Sequence, residues 1–213
     1  MKSHGNKTWV VGCVVAFAVC AVSVSAVPNL PFSDFDDGST QGWTAVEPFG
    51  GTLSLVTTGG NPGGWLYATD TVSGGGWLQI AGPPEFSGDL SVYDGVSWDE
   101  IAVPQPSGIQ TLSITVVLQK SSSERLLYYG EIGPVGVWHS RYVPFDPELW
   151  VPSTPSVSFE DVIHDCTLTF NMDCWAGLGP ESGIDNIRLV PEPSMGLPGL
   201  AVLVLVARRR RMG

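Results

Sequence analysis

The chain has 213 residues, with 21 acidic against 10 basic side chains and a formal net charge of −11. Only Lys120, Arg125, Arg141 and Arg188 of the basic residues lie between positions 27 and 190, whereas every acid except Glu192 does; this segment repels phosphate backbones, which excludes nucleic acid as a partner. The same excess favours hard cations, Ca²⁺ above all, and also keeps an exported protein soluble.

In chain order, Lys2 and Lys7 form a positive start, Val10 to Val22 an apolar run, and Val24-Ser25-Ala26 a set of small residues. Together they read as a secretory signal peptide over residues 1–26, removed by signal peptidase after Ala26. Cys13 and Cys20 leave with it. The remainder, 27–189, is long enough for one domain with its own core. It is expected in an oxidising compartment with two cysteines, Cys166 and Cys174.

Helical periodicity is almost absent from this region. Short alternating runs punctuated by Gly, Pro, Asp and Ser predict strands over Phe32–Asp36, Thr52–Thr57, Trp65–Thr69, Gly76–Ile80, Asp89–Tyr93 and Ile109–Gln119. Further strands are predicted over Arg125–Ile132, Trp138–Val143, Cys166–Met172 and Ile184–Val190. Lys120 to Glu124 joins two of them as a hairpin with a polar loop. Ser91 to Ser107, with two prolines and Trp98-Asp99-Glu100, reads as a loop, as does the stretch from Pro144 to Pro155. One short helix is expected over Phe159 to His164, capped by Ser158 with Asp161 three residues on. This pattern predicts an all-β sandwich or jelly roll. Thr167 to Phe170 alternates like a strand, so a Cys166–Cys174 disulfide requires the chain to turn near Asn171-Met172-Asp173.

The order of several short motifs adds to this. They are Phe35-Asp36-Asp37-Gly38-Ser39-Thr40-Gln41-Gly42-Trp43, Gly60-Asn61-Pro62-Gly63-Gly64-Trp65-Leu66-Tyr67, Gly76-Trp77, Pro83 to Asp89, Leu112–Leu118, Trp138 to Pro144 and Gly183-Ile184-Asp185-Asn186-Ile187-Arg188-Leu189. In this order they resemble a laminin B (laminin IV type A) domain. The resemblance implies a galactose-binding-like jelly roll and a role in adhesion or contact with an extracellular matrix protein.

No nucleophile elbow, zinc-ligand spacing or phosphate-cradling glycine loop is present, and neighbouring acids such as Asp99-Glu100 point to opposite faces of a strand, so no enzyme is expected. Binding of an extracellular polysaccharide is the alternative function. Trp43, Trp65, Trp77 and Trp138 sit in or beside the motifs and read as packing residues, while Trp98 and Trp175, in acid- and glycine-rich stretches, are the candidates for ligand contact. Asp34, Asp36 and Asp37 in the opening loop and Asp185 in the closing strand would meet if the first and last strands are neighbours. They then hold structural Ca²⁺; the alternative is that Asp36-Asp37-Gly38 is simply a turn and Asp185 caps loop amides.

The chain closes on Val190-Pro191-Glu192-Pro193-Ser194, an apolar run from Met195 to Ala207, and Arg208-Arg209-Arg210-Arg211. A stiff acid-bearing segment, an apolar stretch and a basic stop in this order resemble the PEP-CTERM sorting signal of exported bacterial proteins. The resemblance implies recognition by an exosortase-type membrane enzyme at Pro191-Glu192-Pro193. Residues 190–213 therefore read as a sorting segment that holds the protein transiently in the inner membrane before it reaches the cell surface. As a helix the apolar run spans only about 20 Å, against about 30 Å for a hydrocarbon core.

Overall fold

The computed structural model describes residues 30–48, 51–70, 76–104, 114–130, 133–174 and 181–192. The expected signal peptide, Trp175, Pro193, Ser194, the apolar run 195–207 and Arg208 to Arg211 lie outside the described residues. The strands are β1 (Phe32–Ser33), β2 (Thr44–Pro48), β3 (Gly51–Gly60), β4 (Gly63–Asp70), β5 (Gly76–Ala81), β6 (Ser87–Gly88), β7 (Tyr93–Val103), β8 (Ile114–Gln119), β9 (Arg125–Tyr129), β10 (His139–Pro144), β11 (Val151–Pro152), β12 (Cys166–Cys174) and β13 (Glu181–Pro191). One α-helix, α1 (Phe159–Ile163), occurs among the described residues.

All pairings are antiparallel and make two layers. In the first sheet β10 pairs with β7, β7 with β13, β13 with β4 and β4 with β3, while β1 lies beside the far end of β13. In the second, β2, β5, β12, β8, β9 and β11 follow one another, with the short β6 continuing the β5 side of β12. Among the described residues a single pair, Cys174 opposite Glu181, links the layers where β12 leads to β13. The expected all-β sandwich is the fold.

Alternation explains the layering. Leu168, Phe170 and Met172 of β12, Ile114, Val116 and Leu118 of β8, and Val96 and Trp98 of β7 all face the core. At its centre Phe170 lies 5.6 Å from both the Trp43 and Trp98 rings, and Trp43 lies 5.2 Å from Phe86. The Trp43 indole N–H is satisfied by Ser33 Oγ at 3.0 Å. The expected hairpin forms between β8 and β9, closed by Lys120 N and Ser121 N donating to Glu124 O. The expected helix also forms: Asp161 N donates to the Ser158 side chain at 3.1 Å, and Val162 and Ile163 are buried.

Three expectations need correction. Residues 93–103, read as part of a loop, are the long strand β7, which runs between β10 and β13 in the first sheet. Asp99 and Glu100 broke the apolar alternation there, yet both are buried. The last strand does not stop at the expected domain end, residue 189, because β13 continues through Pro191. Finally, β12 runs without a turn from Cys166 to Cys174, which separates their Cα atoms by about 26 Å and rules out an intramolecular bridge.

Cys166 is a free, buried thiol. Burial first, then the charges of Asp165 and Asp89, push it up to about 12. Thiolate is the reactive form, so Cys166 is expected to resist alkylation by iodoacetamide in the native protein and to react fully in guanidinium. Peptide mass mapping reads both states, and rapid native labelling at Cys166 contradicts the burial.

Candidate functional site

The outward face of the second sheet carries a polar ladder. Leu78 and Ile80 of β5 point into the core, so Trp77 and Gln79 point out; the same alternation turns Thr167, Thr169 and Asn171 of β12, Thr115, Val117 and Gln119 of β8, and Arg125, Leu127 and Tyr129 of β9 outward. Register aligns Gln79, Asn171, Thr115 and Tyr129 in one row across four strands. A sheet face in water ordinarily wets its polar groups, yet Gln79 and Thr169 are each only 2% exposed.

Hydrogen bonds tie the floor of this face together. Gln79 Nε2 donates to Gln119 Oε1 at 2.8 Å and to Thr169 Oγ1 at 3.0 Å, Thr169 Oγ1 donates to Val117 O, and Ser87 Oγ donates to Thr167 Oγ1 at 3.1 Å. Two atoms on the same face remain open: Asn171 Oδ1, an acceptor, and Arg125 Nε, a donor, are the buried side-chain atoms without a partner among the described residues. Each such group costs about 1–3 kcal/mol relative to a satisfied one. Tyr129 closes the row at one edge with 60% of its surface exposed. The face thus combines an exposed ring, fixed amides and hydroxyls, and unfilled hydrogen-bonding capacity of both signs.

The expected sites fare differently. Trp98 is no surface residue: it is 1% exposed, packs on Phe170 and donates its indole N–H to Glu100 Oε2 at 2.9 Å. Its inward position in β7 removes it as a ligand platform. Arg141 Nε reaches the other Glu100 oxygen at 2.8 Å, so the buried acid is held from both sides. A cavity of about 280 Å³ beside this pair is lined by Trp98, Tyr128, Gly130, Ser140, Arg141 and Tyr142, but the Tyr142 hydroxyl is already bonded to Asp94. Trp65 and Trp138, read as packing residues, meet edge-on at 5.6 Å on the outer face of the first sheet, and both are half-buried. Their indole N–H groups donate to Thr58 O and Gly59 O.

Trp65 lies across Gly183 of β13, where an added Cβ would sit 2.3 Å from its ring. Gly183→Ala is therefore expected to destabilise the domain by about 1–3 kcal/mol, measured by urea unfolding. A neutral result contradicts this packing.

The aspartates expected to share a cation divide. Asp34 Oδ1 accepts from Asp36 N and Gln41 Nε2, and Asp37 Oδ1 accepts from Ser39 N and Ser39 Oγ, so both serve their own turn. Asp36 and Asp185 come together as the first and last strands do. Asp36 Oδ1 accepts from Gly64 N at 2.9 Å, and Asp185 Oδ2 accepts from Asn61 N at 2.7 Å. Only glycine fits at position 63, where φ is +87° and a Cβ would lie 1.6 Å from Asp36 Oδ1.

A fifth acid, Asp99, stands directly opposite Asp185 across the β7–β13 ladder. Sequence reading missed it because it lay in the supposed loop. Asn186 Nδ2, at 2.8 Å, and Asn61 Nδ2 donate to Asp99 Oδ2. Burial pushes Asp185 up to about 6, against the lowering effect of the Asn61 and Asn186 amides and with help from the charges of Asp99 and Asp36. Among the described residues no group of three or more His, Cys, Asp or Glu side chains is placed to hold a metal ion. Asp36, Asp99 and Asp185 accept from amides, as the alternative reading of Asp185 expects.

The exposed cluster of Ser91, His164 and Asp89 does not have triad geometry. Ser91 Oγ and Asp89 Oδ1 both approach Nδ1 of His164, at 3.2 and 3.1 Å, whereas a triad uses the two ring nitrogens separately.

No family model matches the sequence, and no curated protein matches it. Solved structures do. The Family 11 carbohydrate-binding module of the cellulosomal cellulase Lic26A-Cel5E of Clostridium thermocellum is 18% identical, with 76% of this chain and 95% of that chain covered and a TM-score of 0.50. The tandem CBM22-1-CBM22-2 domain of Paenibacillus barcinonensis Xyn10C is 13% identical, covering 75% and 48%, with a TM-score of 0.52. An exo-β-agarase is 15% identical, covering 76% of this chain and 25% of its own, with a TM-score of 0.53. At these identities the likeness is one of fold.

Proposed function

We propose that this chain is an exported, non-catalytic surface protein whose jelly-roll sandwich binds a polysaccharide along the outward face of the second sheet. The carrying observation is the ladder from Gln79 through Asn171 and Thr115 to the exposed ring of Tyr129, with Asn171 Oδ1 and Arg125 Nε still unpartnered. A sugar ring stacks on the exposed Tyr129, and its hydroxyls, which donate and accept at once, bond the half-buried side chains of Thr115, Arg125 and Asn171 beside it. Likeness in fold to carbohydrate-binding modules supports this reading over laminin-like adhesion.

The acid excess sets the ligand class. A domain with four basic residues among so many acids repels uronic or sulfated polymers, so the ligand is a neutral glycan. Export through the signal peptide and sorting at Pro191-Glu192-Pro193 by an exosortase-type enzyme complete the proposal. The test is a glycan array probed with the mature protein: retention of neutral polysaccharides over anionic ones is expected. Absence of retention on every glycan overturns the reading and favours adhesion to a matrix protein.

A further inference from the structure

The Pro-Glu-Pro segment begins inside the sheet. β13 runs to Pro191, which lies opposite Tyr93 of β7 after an irregularity at Val190. On its other side, β1 pairs Phe32 with Arg188 and Ser33 with Ile187, and Leu189 N donates to Pro31 O at 3.2 Å. The Arg188 guanidinium lies over the Phe32 ring at 5.4 Å from its centroid, and Ile187 and Leu189 are buried. The residues leading into the motif are therefore held between two strands. Pro191, lacking an N–H, suits the last position of such a strand. Glu192 beyond it is exposed and shares a surface hollow with Tyr93, Asp94, Asp146 and Glu160.

An enzyme that binds an extended peptide needs the main chain on both sides of its target, and on the N-terminal side that main chain is already paired with β7 and β1. We propose that β1, which starts a few residues after the expected signal-peptide cut, clamps the end of β13 and gates the sorting motif. In the folded domain Glu192 is exposed beyond the paired strand. Pro191 becomes available only when the end of β13 opens. The gate regulates the sorting site proposed above and rests on that reading, but the clamp is testable without any sorting enzyme.

The full chain, purified in detergent, is treated with an endoprotease that cuts after proline, and product masses compare cutting after Pro191 with cutting after Pro193 in the same sample. Wild type is expected to be cut at least about tenfold more slowly after Pro191, as for a site that must open locally first. Inserting Gly-Ser-Gly-Ser between Val190 and Pro191 should bring the two rates together. Phe32→Ala combined with Arg188→Ala should raise the Pro191 rate several-fold, roughly, without a comparable loss in global stability. Equal ratios in wild type and the spacer variant overturn the clamp, and an unchanged ratio in the double variant removes β1 from it. In the native host the spacer variant should be processed faster than wild type. If neither loses its C-terminal peptide, the sorting reading fails while the protease result still decides the clamp.

Discussion

Trp98→Ala should destabilise the domain by about 3–5 kcal/mol, the cost of an aromatic cavity in a packed core. The side chain is 1% exposed and stands edge-on to Phe170 at the centre of the sandwich. It also supplies one of the donors that hold Glu100, itself 5% exposed, in the core. Removing it leaves Glu100 Oε2 without that donor, an unsatisfied buried acceptor that adds to the cavity term. A domain of this size is typically stable by about 5–15 kcal/mol, so the variant is expected to be partly unfolded or strongly shifted in urea. Trp98→Phe separates the contributions: most of the volume stays, the N–H goes, and the loss should fall to about 1–3 kcal/mol. Equal stability of Trp98→Ala and wild type would return Trp98 to the surface role that sequence reading assigned it.

The second large effect is in pH. Asp185 is 0% exposed and its carboxyl is pushed from 3.8 up to about 6. A raised carboxyl pKa means the native state holds the proton more tightly than the unfolded chain. Its contribution is fully present below about 3.8 and is lost as pH rises to about 6. Stability should therefore fall by roughly 2–3 kcal/mol between pH 4 and pH 7 from this group alone. Asp37 and Asp89, both lowered by serine hydrogen bonds, act in the opposite sense at lower pH; both are exposed and their effect is small. Urea unfolding with EDTA present should show the fall, and Asp185→Asn should flatten it. If the same acids hold Ca²⁺, adding the ion at pH 7 restores stability and removes the pH dependence. A wild-type profile already flat in EDTA contradicts the buried, opposed pair of Asp99 and Asp185.

Much of the sandwich was legible because most strands obey one rule. Cys166–Met172 and Ile114–Gln119 alternate cleanly, since one face meets the core and the other does not, and Ser158 with Asp161 marked the helix start. β7 escaped because its polar residues are buried for reasons beyond its own sequence. Asp99 is covered by the Asn61 turn and Asn186, and Glu100 is held by Trp98 and Arg141. Those partners lie up to 87 residues away, so no local pattern reveals them. The ladder was hidden for a related reason. Gln79, Thr115, Thr169 and Asn171 are ordinary outward residues in their own strands, and only register across β5, β12, β8 and β9 gathers them into one surface. The meeting of Asp36 with Asp185 was foreseeable from the closeness of first and last strands, and the turn reading of Asp36-Asp37-Gly38 covered Asp37, whereas the retention of Asp34 by its own turn was not foreseen.

Binding to the second sheet is the central claim, and calorimetric titration of one neutral glycan found on the array tests it most directly. Tyr129→Ala should weaken binding by at least about tenfold, equivalent to about 1.4 kcal/mol, by removing the exposed ring at the end of the row. Asn171→Leu, which removes the half-buried amide in the middle of the row, should weaken it comparably. Trp138→Ala, on the outer face of the other sheet, should leave affinity unchanged. Full affinity in both Tyr129→Ala and Asn171→Leu, or a loss confined to Trp138→Ala, would contradict the assignment of the ladder as the binding face.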